Sequence, residues 1–321
     1  MNLFKFEPIY KKRIWGGQQF KTLFGQNLIS NEKIGESWNI VDRDEDQSRC
    51  EISKGKFLSL RELIEHRTQE LMGPNWNESK RFPILVKWLD CQERLSLQVH
   101  PPKEVALELH GEPKTENWYV VNATKDAGLF LGFKKGVTKP KFQKALAESN
   151  AETLCHRVSS RENDSVFVES GRMHAIDGGN LILEIQQNSD TTYRVYDWGR
   201  KGLDGNPRKL HIEESLRSID FNDFEPSGIQ TNTQPGIEII AECKHFRIRK
   251  FNLKKNFSNL LKGNHSDCII LSPIKGVTRS NGQILELGYS YISPYSSDCT
   301  ILAEEDSSLL ITDRFTELVY S

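Results

Sequence analysis

The stretch Leu95-Ser96-Leu97-Gln98-Val99-His100-Pro101 sets an amide oxygen and an imidazole two residues apart within an apolar run. In an extended strand, this spacing turns both side chains to one face. Glu116 follows sixteen residues after His100, and His174 lies farther along, in Gly171-Arg172-Met173-His174-Ala175. Two imidazoles, a carboxylate and a carboxamide oxygen suit zinc or another borderline divalent ion. The sequence therefore predicts a metal site, on the condition that these four side chains meet.

Short runs rich in β-branched and aromatic residues recur along the chain, each bounded by Gly, Pro, Asn or Asp. They lie at 84–89, 95–99, 118–121, 128–132, 165–168 and 181–186, and again at 237–241, 246–251, 268–271, 289–292 and 308–312. Residues 225–236 have the composition of a linker. We expect a mainly β protein with one large unit over 1–224, a linker over 225–236 and a smaller C-terminal β unit over 237–321.

Three helical stretches interrupt the strands. Residues 59–71 place apolar side chains at Leu60, Leu63 and Ile64, and residues 139–155 begin after Thr138 with a proline in the first turn. A third helix is expected over 211–219.

Charge and cysteine content exclude several classes of function. The 321 residues carry 43 basic and 44 acidic side chains, so no net field favours nucleic acid or an anionic membrane. No segment approaches 18 uninterrupted apolar residues, and the first residues are charged where a secretory signal would be apolar. The six cysteines are scattered without a close pair, which favours reduced structural thiols. We expect a cytoplasmic protein that binds neither nucleic acid nor membrane.

The segment 166–176 has a strand, a Gly turn and a second apolar strand that aims His174 back at the sheet. Together with Gln98, His100 and Glu116, it resembles the two-part metal motif of the cupin jelly rolls.

Longer segments make the resemblance specific. Phe82-Pro83-Ile84-Leu85-Val86-Lys87-Trp88-Leu89-Asp90, Lys114-Thr115-Glu116-Asn117-Trp118-Tyr119 and the stretch 183–200, which contains Thr192-Tyr193-Arg194-Val195-Tyr196-Asp197-Trp198-Gly199-Arg200, look like type I mannose-6-phosphate isomerases in their short bacterial form. Arg13-Ile14-Trp15-Gly16-Gly17 and Ile34-Gly35-Glu36-Ser37-Trp38 also fit, so that the likeness runs in order over about residues 5 to 220.

The resemblance implies a fold and a cofactor. It implies a cupin jelly-roll barrel with helical insertions over 1–224 as the catalytic domain, followed by a smaller cupin-like β domain. It also implies one zinc ion on Gln98, His100, Glu116 and His174. The implied reaction interconverts mannose 6-phosphate and fructose 6-phosphate through a cis-enediol, in a monomeric enzyme whose partner is a small sugar phosphate.

The same resemblance suggests roles for other residues. It places Arg194 over the enediolate oxygens, and it gives phosphate binding to Lys87 and Ser96. Lys87 within an apolar strand in any case needs an anionic partner or a path to solvent. Asp190 and Lys114 are both candidates for the general base or acid, and this choice stays open. Glu184 is expected to orient ligands or a sugar hydroxyl.

Two alternatives remain at this level. Two histidines, one glutamate and a further donor also suit iron, as in a metal cupin of another class such as an oxygenase. The chain could also be a sugar-phosphate-binding cupin without catalysis, although binding alone would not require Arg194, Lys114 and all four metal ligands.

Overall fold

The computed structural model describes residues 3–28, 32–227, 229–231, 234–263 and 267–315. Within these ranges the chain forms strands β1 (Phe4–Glu7), β2 (Ile9–Gly17), β3 (Ile34–Ile40), β4 (Arg49–Ser53), β5 (Lys56–Ser59), β6 (Ile84–Cys91), β7 (Leu97–Val99), β8 (Glu116–Ala123), β9 (Gly128–Phe133), β10 (Cys155–Ser159), β11 (Asp164–Val168) and β12 (His174–Ile176). The later strands are β13 (Asn180–Gln187), β14 (Tyr193–Tyr196), β15 (Ile229–Thr231), β16 (Gly236–Glu242), β17 (Arg247–Leu253), β18 (Ser258–Leu261), β19 (Ile269–Lys275), β20 (Thr278–Ser280), β21 (Gln283–Leu285), β22 (Ser290–Ser293), β23 (Cys299–Ala303) and β24 (Ser307–Asp313). The helices are α1 (Gln19–Phe24), α2 (Leu60–Leu71), α3 (Lys103–Glu108), α4 (Lys139–Ala147) and α5 (Ile212–Ser218).

The strands form four sheets. A seven-stranded sheet has the order β15-β11-β8-β13-β6-β3-β2, and a five-stranded sheet has the order β10-β9-β12-β7-β14. An apolar cluster that contains Trp118, Leu131 and Ile182 joins side chains of both sheets, so these two sheets form the walls of the jelly roll. The other two sheets, β16-β17-β24-β19-β22-β1-β4-β5 and β18-β23-β20-β21, pack on each other through a separate cluster.

The central strands of the seven-stranded sheet are buried on both faces, and their alternation positions the site. In β13, Leu181, Leu183 and Ile185 pack in the large cluster shared with the eight-stranded sheet. Because successive side chains of a strand point to opposite faces, Ile182 and Glu184 face the five-stranded sheet instead. The strand β6 follows the same rule, so Lys87 pairs in register with Glu184 and lies on the same inner face.

The mainly β cupin prediction is confirmed, and the ends of the predicted strands lie within two residues of the observed ones, except that the strand predicted over 268–271 continues to Lys275. Helix α2 begins where predicted, because Ser59 and Glu62 form a reciprocal capping box. The prediction of a helix over 139–155 is wrong beyond Ala147. Ser149 adopts a left-handed φ of 56°, which ends the helix, and a short 3-10 turn (Ala151–Leu154) leads into β10.

Strands from both ends of the chain share one sheet. The amino-terminal strand β1 pairs with β22 on one side and with β4 on the other, so the eight-stranded sheet contains residues from 4–59 and from 236–313. Within the segment 225–236, β15 pairs with β11 of the seven-stranded sheet. The backbone of this segment therefore runs along the larger unit.

No helix among the described residues is long and apolar enough to cross a membrane. All six cysteines have free thiols, and five of them are buried.

Candidate metal centre and adjoining cavity

Three buried side chains converge between the two jelly-roll sheets. His100 follows the end of β7, Glu116 begins β8 and His174 begins β12. The Nε2 atom of His100 is 3.4 Å from Oε2 of Glu116, and the Nε2 atom of His174 is 3.7 Å from Oε1 of the same carboxylate. One ligand atom from each residue lies within 4.8 Å of the other two, a spacing that allows a common metal ion. The sequence prediction that these three residues meet is confirmed.

Each imidazole is held in orientation by a hydrogen bond at its Nδ1 atom. Nδ1 of His100 lies 2.9 Å from the carbonyl oxygen of Thr191, and Nδ1 of His174 lies 2.8 Å from that of Arg172. A carbonyl oxygen only accepts, so each Nδ1 carries the hydrogen and each Nε2 turns a lone pair toward Glu116. Neither Nε2 has a hydrogen-bond partner among the described residues. Two lone pairs and a carboxylate that face one another suit a cation, so the donor set fits a divalent ion.

The protonation states agree with this geometry. Burial, together with the nearby charge of Lys114, lowers the pKa of His100 to about 4, and burial lowers the pKa of His174 to about 4 as well. Burial alone would raise the pKa of Glu116, but the positive charge of Lys114 outweighs it and holds that pKa well below its usual value. At neutral pH the cluster therefore offers two neutral imidazoles and one carboxylate.

Gln98 lies beside this cluster. In the five-stranded sheet its Cα is registered opposite His174 on one side and Arg194 on the other. Directly opposed residues of antiparallel strands point to the same face, so the three side chains form one row. This row places the amide of Gln98 next to the metal cluster and the guanidinium of Arg194 beyond it. Ligation by Gln98 stays a prediction.

A cavity of about 600 Å³ adjoins the cluster. Its lining includes every other residue that the sequence analysis selected: Lys87, Ser96, Gln98, Lys114, Glu184, Asp190 and Arg194. Lys87 and Glu184 come from the seven-stranded sheet, whereas Gln98 and Arg194 come from the five-stranded sheet. The cavity thus lies between the two walls of the jelly roll, with the metal cluster buried beside it.

A chain of buried ion pairs runs from the metal cluster along the cavity wall. Nζ of Lys114 is 2.9 Å from Oε2 of Glu116 and 3.8 Å from Oε1 of Glu184. Oε1 of Glu184 is also 2.9 Å from Nζ of Lys87. Oε2 of Glu184 accepts a hydrogen bond of 2.9 Å from Nε1 of Trp118. Glu184 therefore connects both lysines.

Lys87 has its anionic partner within the protein. Burial alone would lower the pKa of Lys87, but the carboxylates of Glu184, Glu36 and Asp190 outweigh it and raise that pKa above its usual value. The ammonium is thus charged in the folded state. It faces the cavity.

Arg194 differs from the lysines because its charge is less compensated. Its Nη1 donates to the carbonyl oxygen of Lys209 at 2.8 Å, and its buried Nε has no partner among the described residues. Burial, followed by the positive charge of Arg208, lowers the pKa of Arg194, although a guanidinium stays charged at neutral pH. An anionic group in the cavity would find an available donor here.

Sequence reasoning did not assign roles to two charged residues of the cavity lining, Arg13 and Glu36. Arg13 donates from Nε and Nη2 to both carboxylate oxygens of Glu36, at 3.0 and 2.9 Å, and Nε1 of Trp38 donates to Glu36 at 2.8 Å. Both Arg13 and Glu36 line the cavity. Their segments were part of the family resemblance, but local pattern gave no reason to pair them.

A loop also contributes to the cavity lining, with Gly202, Leu203, Asp204 and Arg208. Arg208 donates from Nε to Asp197 at 2.7 Å, and Arg200 donates to the same carboxylate at 2.8 Å. Asp197 thereby holds the residues on both sides of the loop, Arg200 and Arg208, in place. No sequence motif identified this loop as part of the cavity.

The fold and this centre define a metal-binding protein of the cupin jelly-roll class. A family model described as phosphomannose isomerase type I, catalytic domain, matches residues 3–127. The chain is 37% identical over 262 residues to mannose-6-phosphate isomerase ManA of Bacillus subtilis. The aligned region covers 79% of this chain and 80% of the relative. It is 42% identical over 217 residues to a mannose-6-phosphate isomerase of Streptococcus mutans, with 65% and 67% covered.

A solved structure gives the same result. The crystal structure of the mannose 6-phosphate isomerase from Bacillus subtilis superposes with a TM-score of 0.86 at 28% identity, and the match covers 98% of this chain and 100% of that chain. The chain belongs to the type I mannose-6-phosphate isomerase family.

Proposed function

We propose that this chain is a metal-dependent aldose–ketose isomerase that interconverts mannose 6-phosphate and fructose 6-phosphate. The observation that carries the proposal is the pair of buried imidazoles whose Nε2 lone pairs face Glu116 beside a cavity lined with lysine and arginine. Family membership supports the same reaction.

His100, Glu116 and His174 would hold the metal, with Gln98 as a fourth ligand. Mixed nitrogen and oxygen donors in this number favour zinc. When bound, the ion supplies positive charge that polarises the sugar carbonyl and neutralises charge developing on oxygen. The carbonyl oxygens of Thr191 and Arg172 keep the imidazoles in the ligating tautomer.

The reaction moves one hydrogen from C2 to C1 and another from O2 to O1 of the sugar, so no proton is gained or lost overall. A base removes the C2 proton while O1 is protonated. C1 then gains a proton and O2 loses one, which completes the reaction. Asp190 and Lys114 both line the cavity and remain the two candidates for this base. Arg194, with its unpaired Nε, would stabilise the oxygens of the cis-enediolate.

Lys87 and Ser96 would bind the phosphate, and Glu184 would position both Lys87 and Lys114 through the ion pairs described above. Holding the phosphate fixes the sugar so that C1 and C2 cannot turn away from the base.

The test is a coupled enzymatic assay that follows conversion of mannose 6-phosphate to fructose 6-phosphate before and after chelation. We expect activity to disappear on chelation and to return with added zinc. A chain that binds the sugar phosphate without turnover would be the non-catalytic cupin, and oxygen consumption with iron would indicate the oxygenase. Either result would contradict the isomerase proposal.

Three further expectations belong here. We propose a cytoplasmic enzyme, which the six free thiols support. The formal net charge of -1 supports a small-molecule partner rather than nucleic acid, and we also propose a monomer. The division into 1–224, 225–236 and 237–321 stays a proposal that limited proteolysis can test, because strands on both sides of it share one sheet.

A further inference from the structure

A second cavity lies at the seam between the seven-stranded and eight-stranded sheets, away from the metal cluster. It has a volume of about 220 Å³, and three lysines line it: Lys250 on β17, Lys254 just after β17, and Lys275 at the end of β19. Lys254 is paired with Asp306 at 2.7 Å. Among the described residues, no carboxylate lies within ion-pair distance of Lys275. The walls thus carry an excess of positive charge.

Lys250 is the buried member of this group. It is only 2% exposed, and its Nζ donates to Oδ1 of Asn163 at 2.7 Å. The hydroxyl of Tyr119 donates to the same Oδ1 at 2.8 Å, and the Tyr119 ring centroid is 5.3 Å from the Lys250 ammonium. Burial lowers the pKa of Lys250 to about 8, and the charge of Lys275 adds to the effect although Glu162 opposes it. An anion in the cavity would stabilise both ammonium groups.

The polar end of the cavity provides further hydrogen-bonding groups. Asn252 and Ser308 line it beside the lysines, and the Ser308 hydroxyl donates to Oδ1 of Asn252 at 2.7 Å. The Asn252 amide turns its oxygen to Ser308 and donates from Nδ2 to the carbonyl oxygen of Gln234 at 2.7 Å, which leaves its second amide hydrogen as a donor. Ammonium, hydroxyl and amide groups together form a suitable environment for a phosphate or carboxylate group.

An apolar cleft continues from this end. A neighbouring cavity of about 300 Å³ shares Asn163, Lys275 and Ser308 with the first. Its remaining wall also includes Tyr119, Asn122, Glu162 and Gly276, but most of its residues are apolar: Leu23, Phe24, Val121, Leu181, Ile274 and Leu287. The seam therefore combines a cationic end with an apolar end, in a size range that accommodates a small molecule.

We propose that this seam is a second ligand site, for a small organic anion that places its phosphate or carboxylate group between Lys250 and Lys275 and its apolar body in the adjoining cleft. The site is independent of the isomerase reaction, since no residue of the metal cluster or of its cavity lines it. It is connected to that cluster through β8, on which Tyr119 lies three residues after Glu116.

The test is isothermal titration calorimetry of the full chain with phenyl phosphate, benzoate and inorganic phosphate. Each titration is carried out without and with saturating fructose 6-phosphate, which would occupy the catalytic cavity. We expect phenyl phosphate or benzoate to bind about tenfold more tightly than inorganic phosphate, because burial of the ring adds to the charge contact. The stronger of the two aromatic anions identifies which charged group the site prefers.

Two lysine variants make the test specific. Lys275→Met removes an exposed ammonium and should weaken aromatic-anion binding about tenfold or more while leaving isomerase activity unchanged. Lys144→Met, on the surface of α4 with a side chain that is 77% exposed, should change neither quantity. Equal affinity in wild type and Lys275→Met, binding that fructose 6-phosphate abolishes, or no saturable binding would each overturn the proposal. None of these outcomes depends on whether the chain isomerises mannose 6-phosphate.

Discussion

Replacing Lys87 by methionine tests the buried ion chain that joins the cavity to the metal cluster. The side chains of Lys87 and Glu184 are only 8% and 5% exposed, and their charged atoms are 2.9 Å apart. Removing one partner of a buried pair costs about 3–5 kcal/mol when the other charge is left alone. Glu184 keeps the Trp118 hydrogen bond and Lys114 at 3.8 Å. We therefore expect Lys87→Met to lower the free energy of unfolding by about 2–3 kcal/mol.

A double-mutant cycle separates the pair from its surroundings. Glu184→Gln keeps an acceptor for Trp118 but removes the charge, so the double variant Lys87→Met/Glu184→Gln should be less destabilised than the sum of the single variants, by about 1–2 kcal/mol. Chemical denaturation of all four proteins gives this coupling energy, with Lys144→Met as a surface control. Additivity within about 0.5 kcal/mol would refute the reasoning that Glu184 holds the Lys87 charge in place.

Kinetics of the same variant address the proposed phosphate contact. Lys87→Met should raise KM more than it lowers kcat, because a phosphate contact made equally in the ground and transition states affects binding rather than chemistry. Unchanged kinetics in a folded Lys87→Met protein would remove Lys87 from phosphate binding. A fall in kcat alone would point instead to its effect on Glu184 and Lys114.

Three further outcomes follow from the structure. His174→Ala should reduce bound zinc, measured by metal analysis, and lower kcat/KM at least about a hundredfold, since one of three close donors is lost; full zinc content would contradict its assignment as a ligand. Ser59→Ala should cost about 1 kcal/mol of unfolding free energy without changing kcat/KM, because it removes only the capping box of α2; an unchanged transition midpoint would mean that the cap does not contribute. Burial lowers the pKa of Lys250 in the folded state to about 8, so between about pH 8 and its ordinary pKa of 10.5 the unfolded chain binds one more proton than the folded chain. The free energy of unfolding of the wild type, relative to that of Lys250→Met, should therefore rise with pH across that interval. A difference in denaturation midpoint between the two proteins that stays constant with pH would show that the pKa of Lys250 is not lowered on folding.

The local pattern of the chain located eleven of the strands and the start of helix α2, but it did not predict others such as β1, β4 and β14, or helices α1 and α3. Period-two alternation and Gly or Asn breaks located the strands because both signals are set by neighbouring residues. The helix predicted over 139–155 extended too far because the left-handed residue Ser149 is neither glycine nor asparagine and gave no stop signal.

The metal ligands were also accessible from sequence, but only as candidates. The Gln-x-His spacing predicted that Gln98 and His100 lie on one face of a strand. Whether Glu116 and His174 reach the same point depended on the pairing of β12 with β7 and of β8 with β11, over separations of about 50 to 75 residues. Strand register over such distances is decided by the packing of whole sheets.

By itself the sequence determined the mainly β class, the donor types for a divalent ion and three of the cationic residues that line the cavity, Lys87, Lys114 and Arg194. Only the tertiary structure decided that Lys87 is paired with Glu184, that Arg13 pairs with Glu36 in the cavity wall, and that Arg208 lines the same cavity. It also decided that β1 joins the carboxyl-terminal strands in one sheet. The physical reason is that side-chain identity and alternation are local properties, whereas the partner of a buried charge and the neighbour of an edge strand depend on which remote segments share the same core.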